Sequence, residues 1–475
     1  MLRRTKIIAT LGPASSDAKV LSRMIEAGLD VVRMNFSHGS AAEHRKRVEL
    51  VRALALRAKR TVGVLVDLQG PKIRIGKFKD GAVTLAPGDK FELDAERALG
   101  DATGVGLDYQ NLPNDVRPGD TLLLDDGRLV LGVSSVRGPR IACVVEQGGT
   151  LSNNKGINRK GGGLTAPALT EKDMADIKIA AQLQADFLGV SFPRAGQDIR
   201  WARDLLYKAG GSAFIVAKIE RAEAITALEE ILDASDAVMV ARGDLAVEVG
   251  DAAVPALQKR MIRMARERNK VTITATQMME SMIESPIPTR AEVSDVANAV
   301  LDGTDAVMLS AETATGRHPV ETVAAMARVC LEAEKEDTFS LERRRGNPPA
   351  ELEEAIARAT VFTANNLQIK AVAAMTQSGK TVLLMSRMHT MVPIYAMSAV
   401  SKTRRRVTLF RGVYPVKFRG ARNPERALAL AEDELLTRGA VQTGDYIVLT
   451  IGEPFGKTGG TNTMKIVKVG EHRRV

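Results

Sequence analysis

Cysteine and aromatic residues are scarce in this chain. It has two cysteines, Cys143 and Cys330, and aromatic residues make up only 4% of its 475 residues. The two cysteines lie far apart and lack the spacing of zinc ligands, which argues against a disulfide framework and against a cysteine-rich metal site. We therefore expect two buried thiols in a protein of the reducing cytoplasm.

Long apolar segments are also missing. The N-terminal MLRRTKIIATLGP resembles a signal peptide for a few residues, but Lys6 and Gly12-Pro13 interrupt the apolar stretch, which needs about 7–15 residues. No segment approaches the roughly 18–20 apolar residues of a membrane span. The sequence predicts a cytoplasmic protein that does not associate with membranes.

Three common catalytic patterns are absent. The histidines are dispersed, and only His38 lies beside a predicted strand end, so no arrangement for nucleophilic catalysis is visible. No GxGxxG follows a strand, which argues against a nicotinamide site. The segment MTQSGKT (375–381) ends like a P-loop, but Ala374 stands where the first glycine belongs.

The composition that is present is aliphatic and basic. Hydrophobic residues make up 45% of the chain, and Lys plus Arg outnumber Asp plus Glu by 67 to 57. The length predicts a globular protein of roughly three domains. The positive charge alone is compatible with anionic small molecules, with nucleic acid or with a solvated surface.

Eight short apolar runs alternate with amphipathic helical patterns. The runs are KIIATLG (6–12), VVRMNFS (31–37), VGVLVDL (62–68), FLGVSF (187–192), FIVAKIE (214–220), AVMVARGD (237–244), VTITATQM (271–278) and AVMLSAET (306–313). Eight βα units of this kind predict a TIM (β/α)8 barrel in the α/β class. Polar residues crowd the C-terminal end of nearly every run, which is the active-site face of such a barrel.

Two further domains are predicted. Hairpin signals such as FKDGAVTL and LLLDDGRLVLGV predict an inserted all-β, barrel-like lid domain at 72–167, which divides the barrel domain into 1–71 and 168–340. The segment LERRRGNPPAE (341–351) has the composition of a linker. Beyond it, strands and helices predict a C-terminal α/β sandwich domain at 341–475.

The segment AKIE places Lys218 and Glu220 two residues apart, so both face the barrel interior. Together with Asp244 on the next predicted strand, Glu220 offers the carboxylate oxygens that Mg²⁺ or Mn²⁺ prefers. A lysine beside that metal suits a reaction that builds negative charge on a phosphoryl group or an enolate. A structural ion-pair network is the alternative. Further polar residues at the same rim favour a ligand site; they are Arg33, Asn35, Ser37, Arg74, Thr276, Ser310 and Glu312.

A series of motifs along the whole chain resembles pyruvate kinase. They are TKIIATLGPAS, VVRMNFSHG, DLQGPKIR, AKIE, MVARGDL, the long TATQMMESMIESPIPTRAEVSDVANAVLDGTDAVMLSAETATG and a C-terminal GGTNTMKIV. The resemblance implies a TIM barrel with a β lid and a C-terminal effector domain. It also implies transfer of the phosphoryl group of phosphoenolpyruvate to ADP, giving pyruvate and ATP in glycolysis, with Mg²⁺ or Mn²⁺.

The resemblance implies a role for each matching residue. Lys218 would stabilise the transferring phosphoryl group and then the enolate, Arg33 would meet the phosphoryl group, and Glu220 with Asp244 would hold the metal. The substrate carboxylate would be received by Thr276 and by the backbone of Gly243 and Asp244. The remaining assignments are Asn35, His38, Arg74 and Lys155 toward the nucleotide, and Ser310 and Glu312 on the side that delivers a proton to enolpyruvate.

The octapeptide DLQGPKIR (67–74) departs from the pattern DTKGPEIRT that potassium-dependent members show. Lys72 replaces an acidic residue, and Leu68, Gln69 and Ile75 also differ. We expect the Lys72 ammonium to replace K⁺ beside Asp67, with Asn35 and Ser37 nearby, so that K⁺ is not required. The alternative is a lysine that faces solvent at the lid hinge.

The C-terminal domain resembles a regulatory domain less specifically. A sugar phosphate or nucleotide effector would bind at TQSGKT, through Thr376, Ser378, Gly379, Lys380 and Thr381, and at FGKTGGTNT (455–463). The alternative is a pair of tight turns. Arg404, Arg405 and Arg406 are predicted to form a solvated helix end, and a ligand site is the alternative. The family pattern also implies a homotetramer with allosteric control.

Two other functions fit parts of the sequence. Metal-dependent aldolases and barrels similar to phosphoenolpyruvate mutase share the barrel and metal but lack this lid and C-terminal domain. A nucleic-acid binder would fit the pI of about 9.5, but aromatic residues are sparse and no dense basic stripe is present. We therefore expect no nucleic-acid partner.

Overall fold

The structure is a computed structural model that describes residues 2–336, 351–418, 424–454 and 460–471. Its strands are β1 Lys6–Thr10, β2 Val31–Asn35, β3 Gly63–Asp67, β4 Lys77–Phe78, β5 Ala82–Leu85, β6 Lys90–Asp94, β7 Leu99–Gly100, β8 Gly104–Gly106, β9 Thr121–Leu124, β10 Leu129–Arg137, β11 Arg140–Gln147, β12 Gly149–Ser152, β13 Ile157–Arg159, β14 Phe187–Val190, β15 Phe214–Ile219, β16 Ala237–Ala241, β17 Val271–Ala275, β18 Ala306–Leu309, β19 Ile369–Met375, β20 Ile394–Ser398, β21 Val413–Lys417, β22 Tyr446–Gly452 and β23 Thr461–Lys468.

Helices connect most of these strands. The α-helices are α1 Ala18–Glu26, α2 Ala41–Arg57, α3 Leu112–Asp115, α4 Glu171–Gln182, α5 Gly196–Lys208, α6 Ala222–Thr226, α7 Leu228–Ala234, α8 Arg242–Val249, α9 Val254–Glu267, α10 Arg290–Leu301, α11 Ala311–Ala314, α12 Pro319–Ala333, α13 Leu352–Asn366, α14 Lys380–Arg387, α15 Ser401–Arg406 and α16 Pro424–Thr437. Short 3-10 turns lie at Pro13–Ser15, Asp251–Ala253, Glu280–Ile283 and Val407–Leu409.

A closed parallel barrel forms the first domain, as the sequence predicts. Its strands follow the order β1-β18-β17-β16-β15-β14-β3-β2. The predicted runs extend beyond the strands at their C-terminal ends. In β16 the ladder stops where Ala241 pairs with Ala275, and the ARGD segment instead begins α8. Asp244 therefore lies in the first turn of a helix and not on a strand.

Four aspartates form a ring at the N-terminal rim of the barrel, each directly before an alternate strand. Each carboxylate accepts the N–H of the neighbouring strand: Asp30 from Ile7 at 2.9 Å, Asp186 from Val64 at 3.0 Å, Asp236 from Ile215 at 2.8 Å and Asp305 from Thr272 at 2.8 Å. Each also pairs with an arginine; in the same order these are Arg3, Arg405, Arg203 and Arg387. We call these four residues the aspartate ring.

The inserted domain is built of β-strands, as predicted, apart from the one-turn helix α3. One sheet has the order β13-β9-β10-β11-β6-β8, and the pairs β12-β5 and β4-β7 complete the domain around its own apolar core. All of these strands lie inside the predicted range 72–167. The domain boundaries themselves stay predictions.

The C-terminal domain is a sheet of order β21-β20-β19-β22-β23 with helices on both sides. Its core is continuous with the lower interior of the barrel, where Leu65, Phe187 and Val216 belong to the same apolar cluster as Val361 and Val372. Two of the arginines that pair with the aspartate ring, Arg387 and Arg405, come from this domain. The barrel floor and the C-terminal domain therefore form one packed unit. The predicted linker lies, apart from Glu351, outside the described residues.

Candidate active site

The barrel strands carry apolar residues at one end of their inward face and charged residues at the other. Val216 belongs to the apolar cluster at the barrel floor, and Lys218 is the next inward position because side chains alternate along a strand. Likewise Leu65 precedes Asp67, and Val31 precedes Arg33. This alternation delivers a cluster of charges to the C-terminal mouth of the barrel.

Lys218 lies at the centre of that cluster and is 8% exposed. Its Nζ is 3.2 Å from Asp67 Oδ1 and 3.0 Å from Glu220 Oε1, and it donates to Ser191 Oγ at 2.6 Å. Burial opposes the charged form, but the carboxylates of Asp67 and Glu220 outweigh this effect and raise the pKa of Lys218. The ammonium therefore stays charged in a nearly closed environment.

Arg33 holds the other side of Asp67. Its Nε donates to Asp67 Oδ2 at 2.6 Å, and a terminal nitrogen donates to Thr10 Oγ1 at 3.0 Å. Burial alone would raise the pKa of Asp67, but Lys218 and Arg33 lower it. Gly189 leaves room for this carboxylate, because a Cβ there would lie 2.9 Å from Asp67 Oδ1. Arg33 and Lys218 thus share one fully buried counterion.

Glu220 and Asp244 are the candidate metal ligands. Glu220 is buried, its Oε2 accepts the N–H of Phe192 at 2.9 Å, and burial raises its pKa to about 7, with Lys218 opposing and Asp244 reinforcing the shift. Burial disfavours the charged form of this carboxylate, and a divalent cation would favour it. In the described ranges no group of three or more His, Cys, Asp or Glu residues forms a metal site. The two carboxylates suit Mg²⁺ or Mn²⁺ that completes its shell with substrate oxygens and water.

The start of α8 is fixed against the loop after β17. The N–H of Gly243 donates to Thr276 Oγ1 at 2.9 Å, which in turn donates to its own neighbour Ala275 at 2.7 Å. Thr276 has φ of 67°, a left-handed conformation that is strained for a β-branched residue. Arg242 supports it by donating to the carbonyl of Thr276 at 2.6 Å and to Asp295 at 2.7 Å. The backbone N–H groups of this helix start are thus positioned at the barrel mouth.

Lys72 does not occupy the position that the sequence suggested. Its Nζ is 3.1 Å from Asp244 Oδ1 and 3.9 Å from Asp126 Oδ1 in the lid. Across the described residues, no ion pair or hydrogen bond joins Lys72 to Asp67. The reason is that Arg33 and Lys218 already occupy the Asp67 carboxylate. The expectation of Lys72 beside Asp67 is therefore corrected to Lys72 beside Asp244.

The residues predicted to face the nucleotide fall into two groups. Asn35 is the last residue of β2 and His38 lies in the turn that follows it, and Asn35 Oδ1 accepts the N–H of Ser37 at 3.1 Å. Arg74 and Lys155 lie in the inserted domain; Arg74 donates to the Asn154 carbonyl at 3.0 Å. Lys155 Nζ pairs with Asp125 at 2.8 Å. These contacts place Arg74 and Lys155 at the base of the lid, and among the described residues neither bonds directly to the Lys218 cluster.

Comparison with known proteins matches nearly the whole chain. The model of the pyruvate kinase barrel domain covers residues 2–323, and that of the pyruvate kinase alpha/beta domain covers residues 354–467. The chain is 53% identical over 475 residues to pyruvate kinase II of Salmonella typhimurium, covering 98% of this chain and 99% of that protein. It is 52% identical to a pyruvate kinase of Haemophilus influenzae, with 95% and 96% covered, and 41% identical to one of Mycobacterium tuberculosis, with 99% of each covered.

The chain belongs to the pyruvate kinase family. It is a phosphotransferase, and pyruvate kinases bind phosphoenolpyruvate and ADP or ATP and generally use a divalent metal ion and K⁺. The family assignment confirms the resemblance read from the motifs. In the described part of the chain, no helix is both long and apolar enough to cross a membrane.

Ser310 and Glu312, which the pyruvate kinase pattern assigns to proton delivery, are tightly linked to each other. Glu312 is buried, and its two oxygens accept the N–H groups of Ser310 at 2.6 Å and Met279 at 3.2 Å. Burial raises the pKa of this carboxyl. Through these contacts Glu312 links the loop after β17 to the loop after β18. Its part in proton delivery stays a prediction.

Sequence reasoning missed two residues of the candidate site. Ser191 bonds to Lys218 and donates to the Leu68 carbonyl at 2.7 Å, which ties three strand ends together. The available signal was a polar residue directly after the apolar run FLGV. Asp126, beside Lys72, could not be found from the pattern, because it lies in a hairpin turn of the lid that only tertiary folding brings to the barrel.

The predicted effector residues of the C-terminal domain lie in the turn after β19 and in the first turn of α14. Thr376 Oγ1 accepts the N–H of Gly379 at 2.9 Å, and Ser378 Oγ accepts that of Lys380 at 3.3 Å. Thr381 Oγ1 lies 2.8 Å from Thr461 Oγ1. Lys380 pairs with Glu353 at 3.0 Å and with Glu351. Residues 455–459 of the second predicted effector segment lie outside the described residues, so this site stays a prediction.

The prediction of a solvated helix end at 404–406 is wrong. Arg405 pairs with Asp186 at 2.8 Å, and Arg406 donates to the carbonyl of Ser212 while its guanidinium lies 4.3 Å from the ring centre of Phe214. All three partners belong to the barrel floor. A run of like charges near a helix end is usually solvated, but here the barrel supplies buried acceptors.

Proposed function

We propose that the cluster around Lys218 carries phosphoryl transfer from phosphoenolpyruvate to ADP in this chain. The observation behind the proposal is a buried ammonium at the barrel mouth, held between Asp67, Glu220 and Ser191. A loose phosphoryl-transfer transition state requires positioned cations and no covalent intermediate. Lys218 and Arg33 would supply fixed positive charge to the phosphoryl group, and Lys218 would then stabilise the enolate.

Other residues would position the reactants. Glu220 and Asp244 would hold Mg²⁺ or Mn²⁺, which when bound supplies charge neutralisation at the phosphoryl oxygens. Thr276 and the N–H groups of Gly243 and Asp244 would bind the substrate carboxylate, because a helix start points its backbone donors at anions, and the Gly243 N–H would exchange its bond to Thr276 Oγ1 for one to the substrate. The remaining roles would be nucleotide binding by Asn35, His38, Arg74 and Lys155, and proton delivery on the side of Ser310 and Glu312.

The variant Lys218→Met tests this function. We expect a folded protein that loses about 10²–10³-fold of its turnover, as when another preorganised electrostatic group is removed. Lys46→Met is the matched control, because Lys46 is exposed on α2, and it should keep normal turnover. Pyruvate formation is measured with and without ADP. Near-normal turnover in a folded Lys218→Met protein would refute the assignment.

We further propose that this chain needs no K⁺. Lys72 places a fixed ammonium 3.1 Å from Asp244, and Asp67 is already paired with Arg33 and Lys218. The electrostatic influence of Asp244 reaches Glu220 and Lys218, so the Lys72 charge acts on the same cluster. A mobile monovalent cation close to this ammonium would be repelled.

The potassium proposal is tested by comparing initial rates in KCl and in tetramethylammonium chloride at matched ionic strength. We expect equal rates for the unmodified chain and a KCl requirement in Lys72→Glu. Lys79→Glu makes the same charge change on the exposed lid surface and should remain independent of KCl. A several-fold stimulation of the unmodified chain by KCl would contradict the proposal.

The assembly and regulation are proposed from the family pattern. We expect a cytoplasmic homotetramer that responds to a sugar phosphate or nucleotide bound at the turn of residues 376–381. Sedimentation velocity checks the assembly. For the effector site, Lys380→Ala should weaken activation by such ligands without changing the basal rate. Lys380 lies at the start of α14 in the C-terminal domain, outside the barrel mouth.

A further inference from the structure

Residues 36–39 lead from β2 to the start of α2, and we call them the β2 turn. Phe36 is buried, whereas His38, near the other end of the turn, is exposed. One side chain of the turn is therefore anchored in the core while another is presented to solvent. The backbone between them decides where His38 points.

The N–H groups of the β2 turn bond to the neighbouring strands. Phe36 donates to the carbonyl of Asp67 at 2.9 Å, and His38 donates to the carbonyl of Asn35 at 3.3 Å. Ser37 donates to Asn35 Oδ1 at 3.1 Å. The carbonyls of Phe36 and His38 instead accept side chains from two different helices. The turn is therefore tied to its surroundings through its donors and through its acceptors.

His44 of α2 binds the His38 carbonyl. Its Nε2 lies 3.0 Å from that oxygen, and its buried ring stacks on Phe36 with the ring centres 4.2 Å apart and the planes at 14°. Because a carbonyl oxygen can only accept a hydrogen bond, Nε2 carries the ring proton. Among the described residues the buried Nδ1 has no hydrogen-bond partner, so a proton there would be buried without an acceptor.

The surroundings keep His44 neutral. Burial and the charge of Arg47 lower its pKa, while the bond to His38 and the carboxylates of Asp176 and Glu43 oppose this shift. A neutral imidazole has a single donor. In His44 that donor is the one directed at the β2 turn.

Lys172 of α4 binds the other carbonyl. Its Nζ donates to the carbonyl of Phe36 at 2.7 Å and to Asp176 Oδ2 at 2.5 Å. Asp176 is buried one turn further along the same helix, so it fixes the direction of the lysine. Helices α2 and α4 thus hold the β2 turn through two carbonyls that are two residues apart.

We propose that His44 and Lys172 are positioning residues that hold the β2 turn in the conformation that receives the nucleotide. This inference rests on the proposed function, in which Asn35 and His38 bind the nucleotide. A turn that is ordered in advance loses less conformational entropy when ADP binds. Loss of either contact should therefore weaken ADP binding and leave the binding of phosphoenolpyruvate at the Lys218 cluster unchanged.

Steady-state kinetics of His44→Phe and His44→Gln test the histidine. Phenylalanine keeps a ring to stack on Phe36 but has no donor, whereas the glutamine amide places a donor the same number of bonds from Cα as Nε2. We expect His44→Phe to raise KM for ADP by about 3–10-fold, as for the loss of one hydrogen bond, with kcat and KM for phosphoenolpyruvate unchanged. His44→Gln should stay within about twofold of the unmodified chain.

Lys172→Met keeps the inference testable if a buried histidine variant does not fold, because the Lys172 side chain is 48% exposed. It removes the donor to Phe36 and should also raise KM for ADP by about 3–10-fold. Lys178→Met, an exposed position on the same helix, is the matched control and should leave KM for ADP unchanged. Val51→Ala, buried two turns beyond His44 on α2, controls for general destabilisation and should also leave it unchanged.

His38→Ala distinguishes this inference from the proposed function beneath it. A raised KM for ADP in His38→Ala, with normal values in His44→Phe and Lys172→Met, would show that the turn binds nucleotide without needing these side chains and would overturn the inference. An unchanged KM for ADP in His38→Ala would refute the nucleotide role of the turn and the inference with it, while Lys218→Met still tests phosphoryl transfer. A rise in Val51→Ala equal to that in His44→Phe would also overturn the inference, because general destabilisation would then explain both.

Discussion

Lys218 remains charged although it is almost completely enclosed, because two carboxylates and one hydroxyl surround it. Asp67 and Glu220 provide the opposite charge, and Ser191 provides an acceptor at 2.6 Å that fixes the direction of the ammonium. Ser191 is itself oriented by the Leu68 carbonyl. The two carboxylates thus keep Lys218 charged, and the uncharged Ser191 hydroxyl sets the direction in which its ammonium points.

Ser191→Ala is predicted to lower kcat by about 10–100-fold, because a hydrogen bond to a charged group is worth about 1.5–3 kcal/mol. KM for ADP should change little, since the nucleotide does not depend on this contact. Ser134→Ala is the control: Ser134 also donates to a carbonyl, that of Ala142, but lies on an exposed lid strand. Equal loss in kcat and rise in KM would contradict a positioning role.

At the scale of elements, the aspartate ring joins alternate barrel strands to their neighbours. The sequence shows it only as an aspartate before each of four apolar runs, in LDVV, ADFL, SDAV and TDAV. The members differ in environment: Asp305 and Arg387 are both completely buried, whereas the Asp236 side chain is 26% exposed. Removal of one partner is costly where the other charge cannot reach water.

Asp305→Asn is therefore predicted to destabilise the protein more than Asp236→Asn. Breaking a buried pair costs about 3–5 kcal/mol, whereas the Asp236 pair is partly solvated and its loss is expected to cost about 1–3 kcal/mol. Differential scanning calorimetry of both variants should show the lower unfolding temperature for Asp305→Asn. The reverse order would show that the ring is not held by these ion pairs.

At the scale of the whole molecule, Glu248 of α8 fastens the returning lid strand to the barrel. Its side chain accepts from Ala222 at 2.8 Å and from Asn158 of β13 at 3.4 Å, and its carbonyl accepts from Gly161 at 3.1 Å. Burial raises the pKa of Glu248 to about 7, Glu223 adds to the shift and Arg221 opposes it. The folded chain therefore holds a proton here that the unfolded chain releases near pH 4.5.

This difference predicts a pH dependence. Between about pH 4.5 and 7 the folded state binds more protons than the unfolded state, so the contribution of Glu248 to stability falls as pH rises through this window. Glu248→Gln stays neutral and should lose less stability than the unmodified chain between pH 5 and pH 8. Unfolding temperatures of both proteins across this range check it, and parallel curves would exclude Glu248 as the titrating group.

Much of the fold was predictable from local pattern. The eight apolar runs, the hairpins of the lid and the final α/β sheet follow from periodicity, and the contact of Lys218 with Glu220 follows from their two-residue spacing across the end of β15. The ends of the strands were less predictable. Strand β16 ends at Ala241 because its pairing partner β17 ends at Ala275. The sequence does not show where a partner strand ends, so Asp244 was predicted on a strand although it lies in helix α8.

The sequence by itself therefore determined the barrel, its inserted and C-terminal domains, the pyruvate kinase family and the residues at the barrel mouth. These features depend on short-range periodicity and contiguous motifs. Only the tertiary structure decided that Lys72 pairs with Asp244, that Ser191 orients Lys218, and that Arg405 and Arg406 hold the barrel floor. Each of these contacts joins segments far apart in the chain, whose distance is set by the packing of whole elements.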